Sequence, residues 1–444
     1  MANYSSASVD ILNAITNAST VDYQNAVPIV TSADQIASVG AIITNNPALM
    51  NQYMNSLMVM TVAKFFHDKM YENHFRMFKK GSTEGRTIES IFVELIQAKR
   101  YNENADASAE YSANQSKIEV QFLPMNSQVY YDVKINEIAA RNAFNTPEGI
   151  GRLVEQQVNS LYKSANYDEE QATKYMIAIR AINGEFAVVA QLSSTPSVAA
   201  ATLKEYSNNF EYMSTDYNFA GVHVSVEKPD QYLIMSSAYN AKQDVNVLAT
   251  AFNMDKAEFL GHQLVVDGFG KLDTDRLYAM FGGNALYHAF TTAEKTALNK
   301  IDAVLVGREF LQIYDQLNIV KEKEVTADLS RIFRYHKWNT FATDIFENAA
   351  LFTSETPSIT SVDVSPATAS VAQGASIQLT ATVVNANFAP KKVVWESSNE
   401  DVATVDAYGR VTVKSTATDN QTATITATSV FDGTKSDTCT VTVS

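Results

Sequence analysis

With 444 residues, 46% of them hydrophobic, the chain is long enough to bury two or more cores and is neither disordered nor fibrous in composition. Its formal charge of -15 and sequence pI near 4.9 argue against a general nucleic-acid binder, because phosphate affinity comes from clustered Lys and Arg that release counterions. A single cysteine, Cys439, excludes an intrachain disulfide.

The opening MANYSSASVDILNAITNAS has neither a basic n-region nor a continuous apolar h-region, and no run approaches the roughly 18 apolar residues of a membrane helix. The expectation is a chain made and assembled in the cytoplasm, without a membrane partner. Residues 1–76 are rich in Asn, Ala and Met with weak helical patterning, and NNPALMNQYMNSLMVMTVAKFFHDKM carries apolar residues all round, a face that needs a partner. Residues 77–131 predict a projecting hairpin. In FKKGSTEGRTIESIFVELIQAKR a basic glycine turn precedes a strand-like run with Ile91, Val93 and Leu95 on one side. A polar tip, YNENADASAEYSANQS, separates it from KIEVQF, where Ile118, Val120 and Phe122 share a face.

From Thr146, a plausible N-cap, and Pro147, a plausible first helical residue, apolar positions recur at three- and four-residue steps to Ile182. Unbroken, this helix spans about 36 residues, roughly 54 Å, and acts as a structural beam. Residues 185–330 mix short strands (FAVVAQL, QYLIMSS, HQLVVDGF, KIDAVLVG) with helical runs such as VNVLATAFNMDKAEFLG, an α+β pattern. Residues 331–355 return to strand-like patterning and are expected, with 132–184, to close a sheet against the beam. After the linker TSETPS, residues 358–444 carry about seven short extended runs separated by turn residues, an all-β sandwich. Trp395, Val402 and Val405 are its candidate core residues, and Gly409 can take the positive φ of a tight turn. Both parts are acidic, the sandwich with five basic against eight acidic residues.

No stretch points to chemistry. GSTEGRT, after Lys79 and Lys80, has three residues between its glycines where a phosphate loop needs four, an Arg in place of the Lys, and no buried strand before it. The six histidines (His67, His74, His223, His262, His288, His336) form no close ligand pair with each other or with Cys439, whose thiol is expected to be buried and inert. The Asp168, Glu169, Glu170 run is most simply a solvated helix face. Catalytic, metal and cofactor residues are therefore expected to be none.

The stretches AFNMDKAEFLGHQLVVDGF (residues 251–269) and FKKGSTEGRTIESIFVE (residues 78–94) are similar to those of major capsid proteins of φ29-like short-tailed phages, and SPATASVAQGASIQLTATV with WESSNEDVATVDAYGRVTV is similar to the bacterial Ig-like group 2 domain. The resemblance implies a Hong Kong 97 phage-type capsid fold. Its parts would be an N-terminal arm (1–76), an E-loop hairpin (77–131), a peripheral domain with a spine helix (132–184 and 331–355), an axial domain (185–330) and an Ig-like sandwich (358–444). It implies self-assembly into an icosahedral or prolate shell around double-stranded DNA, with the chain itself in pentamers and hexamers, a scaffolding protein and a portal as partners, and DNA touched only non-specifically. The basic residues Lys79, Lys80, Arg86, Lys99 and Arg100, with Glu89, are expected at the subunit interface, the hairpin lying across an acidic neighbour. The Ig-like tail would sit outside the shell, bridging capsomers or touching host cell-surface polymers. The rival from another class is a bacterial cell-surface adhesion protein, where Ig-like modules of this type are frequent.

Overall fold

The computed structural model describes residues 4–64, 71–83, 85–99, 116–136, 142–145, 149–242, 262–284, 287–325 and 330–444. The N-terminal segment forms α1 (Tyr4–Ala18), α2 (Val21–Ala26), α3 (Ile36–Asn45) and α4 (Pro47–Lys64). These helices bury Ile11, Ile15, Tyr23, Ile43, Met50 and Tyr53 in one core with Ile135, Phe144, Leu161 and Phe333. The apolar face that called for a partner thus finds one, over its described part, within its own chain.

After β1 (Lys79–Ser82), β2 (Thr87–Val93) and β3 (Ile118–Pro124) make the hairpin, and β4 (Ser127–Asn136) leads towards α5 (Gly149–Asn183). Helix α5 runs for 35 residues and at 1.5 Å per residue is roughly 52 Å long. Thr146, Pro147, His67, Arg100, the hairpin tip and the segment VNVLATAFNMDKAEFLG lie outside the described residues.

Two sheets flank α5. The first has the order β1-β9-β10-β4, built on the long antiparallel pair β9 (Leu311–Val325) and β10 (Ser330–Thr343). The second has the order β5-β11-β8-β6-β7, with β5 (Val188–Gln191), β6 (Gln231–Ser236), β7 (Gln263–Val266), β8 (Ile301–Gly307) and β11 (Ala349–Thr353). Strands β6, β8 and β11 are buried along their whole length, as a sheet covered on both faces requires. Helices α6 (Pro196–Asn209), α7 (Ser237–Asn240), α8 (Thr274–Phe281) and α9 (Thr292–Leu298) complete this half.

These pairings correct two expected boundaries. Strand β9, placed with the axial region, is hydrogen-bonded to β10 through 14 register pairs and belongs to the first sheet; β11, placed with the peripheral region, lies between β5 and β8 in the second. Composition changes at neither junction, because both sheets draw on the same Val, Ile and Phe, and only pairing tells them apart.

Residues 358–444 form the sandwich, from β12 (Ser358–Ser365) through β13 (Thr368–Val371), β14 (Ser376–Gln378), β15 (Thr380–Ala386), β16 (Val393–Ser397), β17 (Ala403–Val405), β18 (Arg410–Val413) and β19 (Thr422–Ser429) to β20 (Ser436–Val443). Val402 and Cys439 sit in its core; Trp395 and Val405 are partly buried against it, and Gly409 has φ 81° beneath the Trp395 ring. Burial pushes the Cys439 thiol above its ordinary pKa, consistent with a packing role.

Candidate subunit interfaces

The carboxylates Asp168, Glu169 and Glu170, expected on a solvated face, are instead all buried. Helix α5 passes between the two sheets at this level, so each must be matched by a cation or donor. Arg276 Nη1 donates to Asp168 at 2.7 Å and the Tyr131 hydroxyl donates to its other oxygen at 2.8 Å. Lys337, from β10, pairs with Glu169, which also accepts from Lys79 at 3.3 Å and from Asn73 at 3.0 Å. Burial opposes the Glu169 charge, but Lys337, Lys79 and Asn73 outweigh it and hold its carboxyl below the ordinary range. Glu170 binds the His74 ring at 2.8 Å. One turn on from Glu170, Lys174 is fully buried and donates to Asp267 and to the Lys271 carbonyl. One helix therefore ties residues 73–79, β4, the loop after β7, α8 and β10 into a single frame.

That frame claims two of the predicted interface residues. Lys79 pairs with Glu169 and Asp315, and Lys80 with Glu309 at 2.7 Å; both precede the hairpin and are engaged inside their own chain. Arg86 and Glu89 are exposed at the hairpin base, and Lys99 lies exposed beyond β2.

The hairpin has two unlike faces. Its inner face seats on the body through polar contacts: Ser90 donates to Asp344 at 2.7 Å, the Gln121 amide bonds Thr343 O and Ile345 N, and Phe92 stacks on Phe346 at 5.6 Å. Glu94 binds His223 at 2.6 Å. The outer face presents Ile91 beside Val120 and Val93 beside Ile118, continued by Leu95 and Phe122, each between 43% and 62% exposed. A contiguous apolar strip left uncovered on the surface marks an interaction surface. Sequence reasoning identified these residues as co-facial but looked to the charges for the contact.

Beneath the inner face lies a cavity of about 380 Å³ lined by Ile88, Ser90, Phe92, Glu309, Asp344 and Glu347. Burial, reinforced by Asp344 and Glu309, pushes the Glu347 carboxyl up to about 8, against the pull of Lys80. Below an unfolded value near 4.5 both states are protonated and Glu347 is neutral to stability. As pH rises from there to about 8 the unfolded state ionises first, so the native state loses stability across this window, by at most about 5 kcal/mol. Glu347→Gln is expected to flatten the pH dependence of the unfolding midpoint between pH 5 and 8; urea titrations at three pH values check it.

A second uncovered surface is the outer face of the first sheet. Register places Tyr130, His336 and Ile319 in one row, Asp132, Arg334 and Lys321 in the next, and Lys134, Ile332 and Lys323 in a third. Arg334 lies over the Tyr130 ring at 5.2 Å. Four Lys or Arg against one Asp make this face positive on a chain whose formal charge is -15. The hairpin segment 87–124 carries six acidic and three basic residues, the opposite sign.

A family model described as Phi29-like phage major capsid protein matches residues 12–353. The chain belongs to that family. A bacterial Ig-like domain (group 2) model matches residues 358–441, the sandwich. The major capsid protein of Bacillus phage B103 is 29% identical over 426 residues, covering 94% of this chain and 89% of that one, and that of Bacillus phage PZA is 29% identical over 397 residues, covering 87% and 82%. A solved capsid structure of Staphylococcus phage Andhra shares the fold with TM-score 0.51 at 15% identity, covering 66% of this chain and 87% of that chain. The fold is the Hong Kong 97 phage type with an appended Ig-like sandwich, and the chain is a phage major capsid protein, a component of the virion shell built from copies of itself. The adhesion reading has no support from residues 12–353. Among the described residues no group of three or more His, Cys, Asp or Glu is placed to hold a metal ion.

Proposed function

We propose that this capsid protein is structural and not catalytic, and that copies assemble into pentamers and hexamers when the outer face of one hairpin lies on the outer sheet face of a neighbour. The observation that carries this reading is the exposed strip of Ile91, Val93, Ile118, Val120 and Phe122, which no part of the described chain covers. The neighbouring Lys321, Lys323 and Arg334 face supplies the opposite charge and flat apolar ground between Ile319 and Tyr130. In this arrangement the hairpin contributes acid and apolar surface to a basic receiver, the reverse of the polarity first expected.

The remaining partners follow from the same assembly: a scaffolding protein during construction in the host cytoplasm, a portal at one vertex, and packaged DNA touched only non-specifically by a chain at -15. The Ig-like sandwich decorates the outside of the shell. Negative-stain electron microscopy of the chain alone and co-expressed with a candidate scaffold tests the proposal. Closed shells, or five- and six-membered rings, are expected; compact monomers under both conditions would overturn it.

A further inference from the structure

The loop joining β15 to β16 does more than connect two strands of the sandwich. Phe388 leaves the Ig-like domain altogether and is buried in the main core of the body with Phe186 and Phe310, whereas the next residue, Ala389, is fully buried in the core of the sandwich. Consecutive side chains thus rivet two cores together. Asn387 and Phe388 hold positive φ, 51° and 65°, a conformation that a bulky L-residue adopts only when its surroundings impose it.

The two residues that follow Pro390 extend the joint. Lys391 closes the C-terminal end of α5: its backbone N–H donates to Gly184 O at 2.9 Å and its ammonium to Ile182 O at 3.4 Å, where the helix leaves carbonyls unpaired. Gly184, at φ 69°, is required there, since a Cβ would lie 2.7 Å from the Lys391 side chain and 3.1 Å from Ala389 O. Lys392 reaches the other way, donating to Phe219 O at 3.0 Å. Gly221 makes room for it, because a Cβ at this position would stand 2.7 Å from Nζ.

The segment that Lys392 holds continues to the hairpin. Ala220 N–H donates to Ile345 O at 3.1 Å, Ile345 N–H donates to Gln121 Oε1 at 3.1 Å, and the His223 ring binds Glu94 at 2.6 Å. From the other side, Arg180 of α5 stacks over the Phe219 and Phe310 rings at 5.6 and 5.7 Å.

We infer that the Ig-like domain is an intramolecular brace for the hairpin, with Phe388 and Lys392 as positioning residues that set the angle at which the assembly face is presented. This goes beyond an external decoration and holds whatever surface of the neighbour receives the hairpin. Backbone hydrogen exchange on the full chain reads it directly. Lys392→Met is expected to speed exchange in residues 87–93 and 118–124 by about tenfold, the effect of losing its charge-assisted hydrogen bond to Phe219 O, with β19 and β20 still protected. Lys392→Arg, which keeps a cationic donor for Phe219 O, is expected to restore slow exchange. Phe388→Ala is expected to loosen the same strands further. Unchanged hairpin exchange in Lys392→Met overturns the inference, as does loosening spread evenly over the whole body. If Phe388→Ala unfolds the sandwich, the Lys392 variants alone decide.

Discussion

Glu169→Ala is expected to lower the stability of the body by about 3–5 kcal/mol, because it leaves the ammonium of Lys337 buried with no counter-charge. Both side chains of that pair are no more than 5% exposed, so neither can recover hydration by a small rotation. Glu169→Gln keeps one acceptor oxygen, for Asn73 or for the lysines but not both, and removes the charge, so it should recover only a small part of the loss. The exposed pair Lys300–Glu355 provides the contrast: Lys300→Ala should cost below about 0.5 kcal/mol, since solvent already screens both groups. The pH dependence runs opposite to that of Glu347. A carboxyl held below its unfolded value contributes stability that is present above that value, 4.5, and is lost as pH falls through the folded one. The gap between wild type and Glu169→Ala should therefore close in acid. Urea unfolding midpoints at pH 7 and below pH 4 measure both effects; equal midpoints for wild type and variant at pH 7 would show that the pair is not an anchor of the fold.

How much of this was legible beforehand follows from the range of the interactions. Helix α5 could be read to within a few residues because its apolar spacing is local and unbroken. Its charged run could not, because Asp168, Glu169 and Glu170 are neutralised by Tyr131, Arg276, Lys79, His74 and Lys337, of which the nearest is 37 residues away. A triple of acids reads as wet unless the cations that will meet it are known. The hairpin shows the same limit at shorter range. Alternation in IESIFV and KIEVQF identified the strands and their co-facial residues, yet the seat on the body uses Ser90 and Gln121, polar residues that a hydrophobic pattern assigns to solvent, beside Phe92 and Leu123. The opposite face, with Ile91, Val93, Ile118, Val120 and Phe122, stays uncovered. In the sandwich, by contrast, short alternating runs and turn residues marked the strands locally, although only β17–β18 and β19–β20 pair as consecutive hairpins.

Replacing Ile91 and Val120 together by Asp is expected to abolish shell formation while leaving the monomer folded. The two side chains are cross-strand neighbours on the outer face, 59% and 43% exposed, so charge there costs the isolated chain little. Buried against a second copy, the same carboxylates would be desolvated without partners, and two lost apolar contacts add about 1.5–3 kcal/mol each. Because every subunit repeats the contact, a deficit of this size per interface removes assembly at any working concentration. Charge reversal separates the two halves of the proposed joint. Lys321→Glu with Lys323→Glu should also block assembly, through repulsion of a hairpin that is itself acidic, and 1 M salt, where screening falls to about 3 Å, should relieve that block without relieving the Asp pair. Light scattering and electron microscopy of the three proteins at low and high salt give the readout. Wild-type assembly by both double variants, with circular dichroism unchanged, would mean that neither the outer hairpin face nor the sheet face is buried in the shell; failure of the Asp pair alone would keep the hairpin as the donor and release the sheet face from its role as receiver.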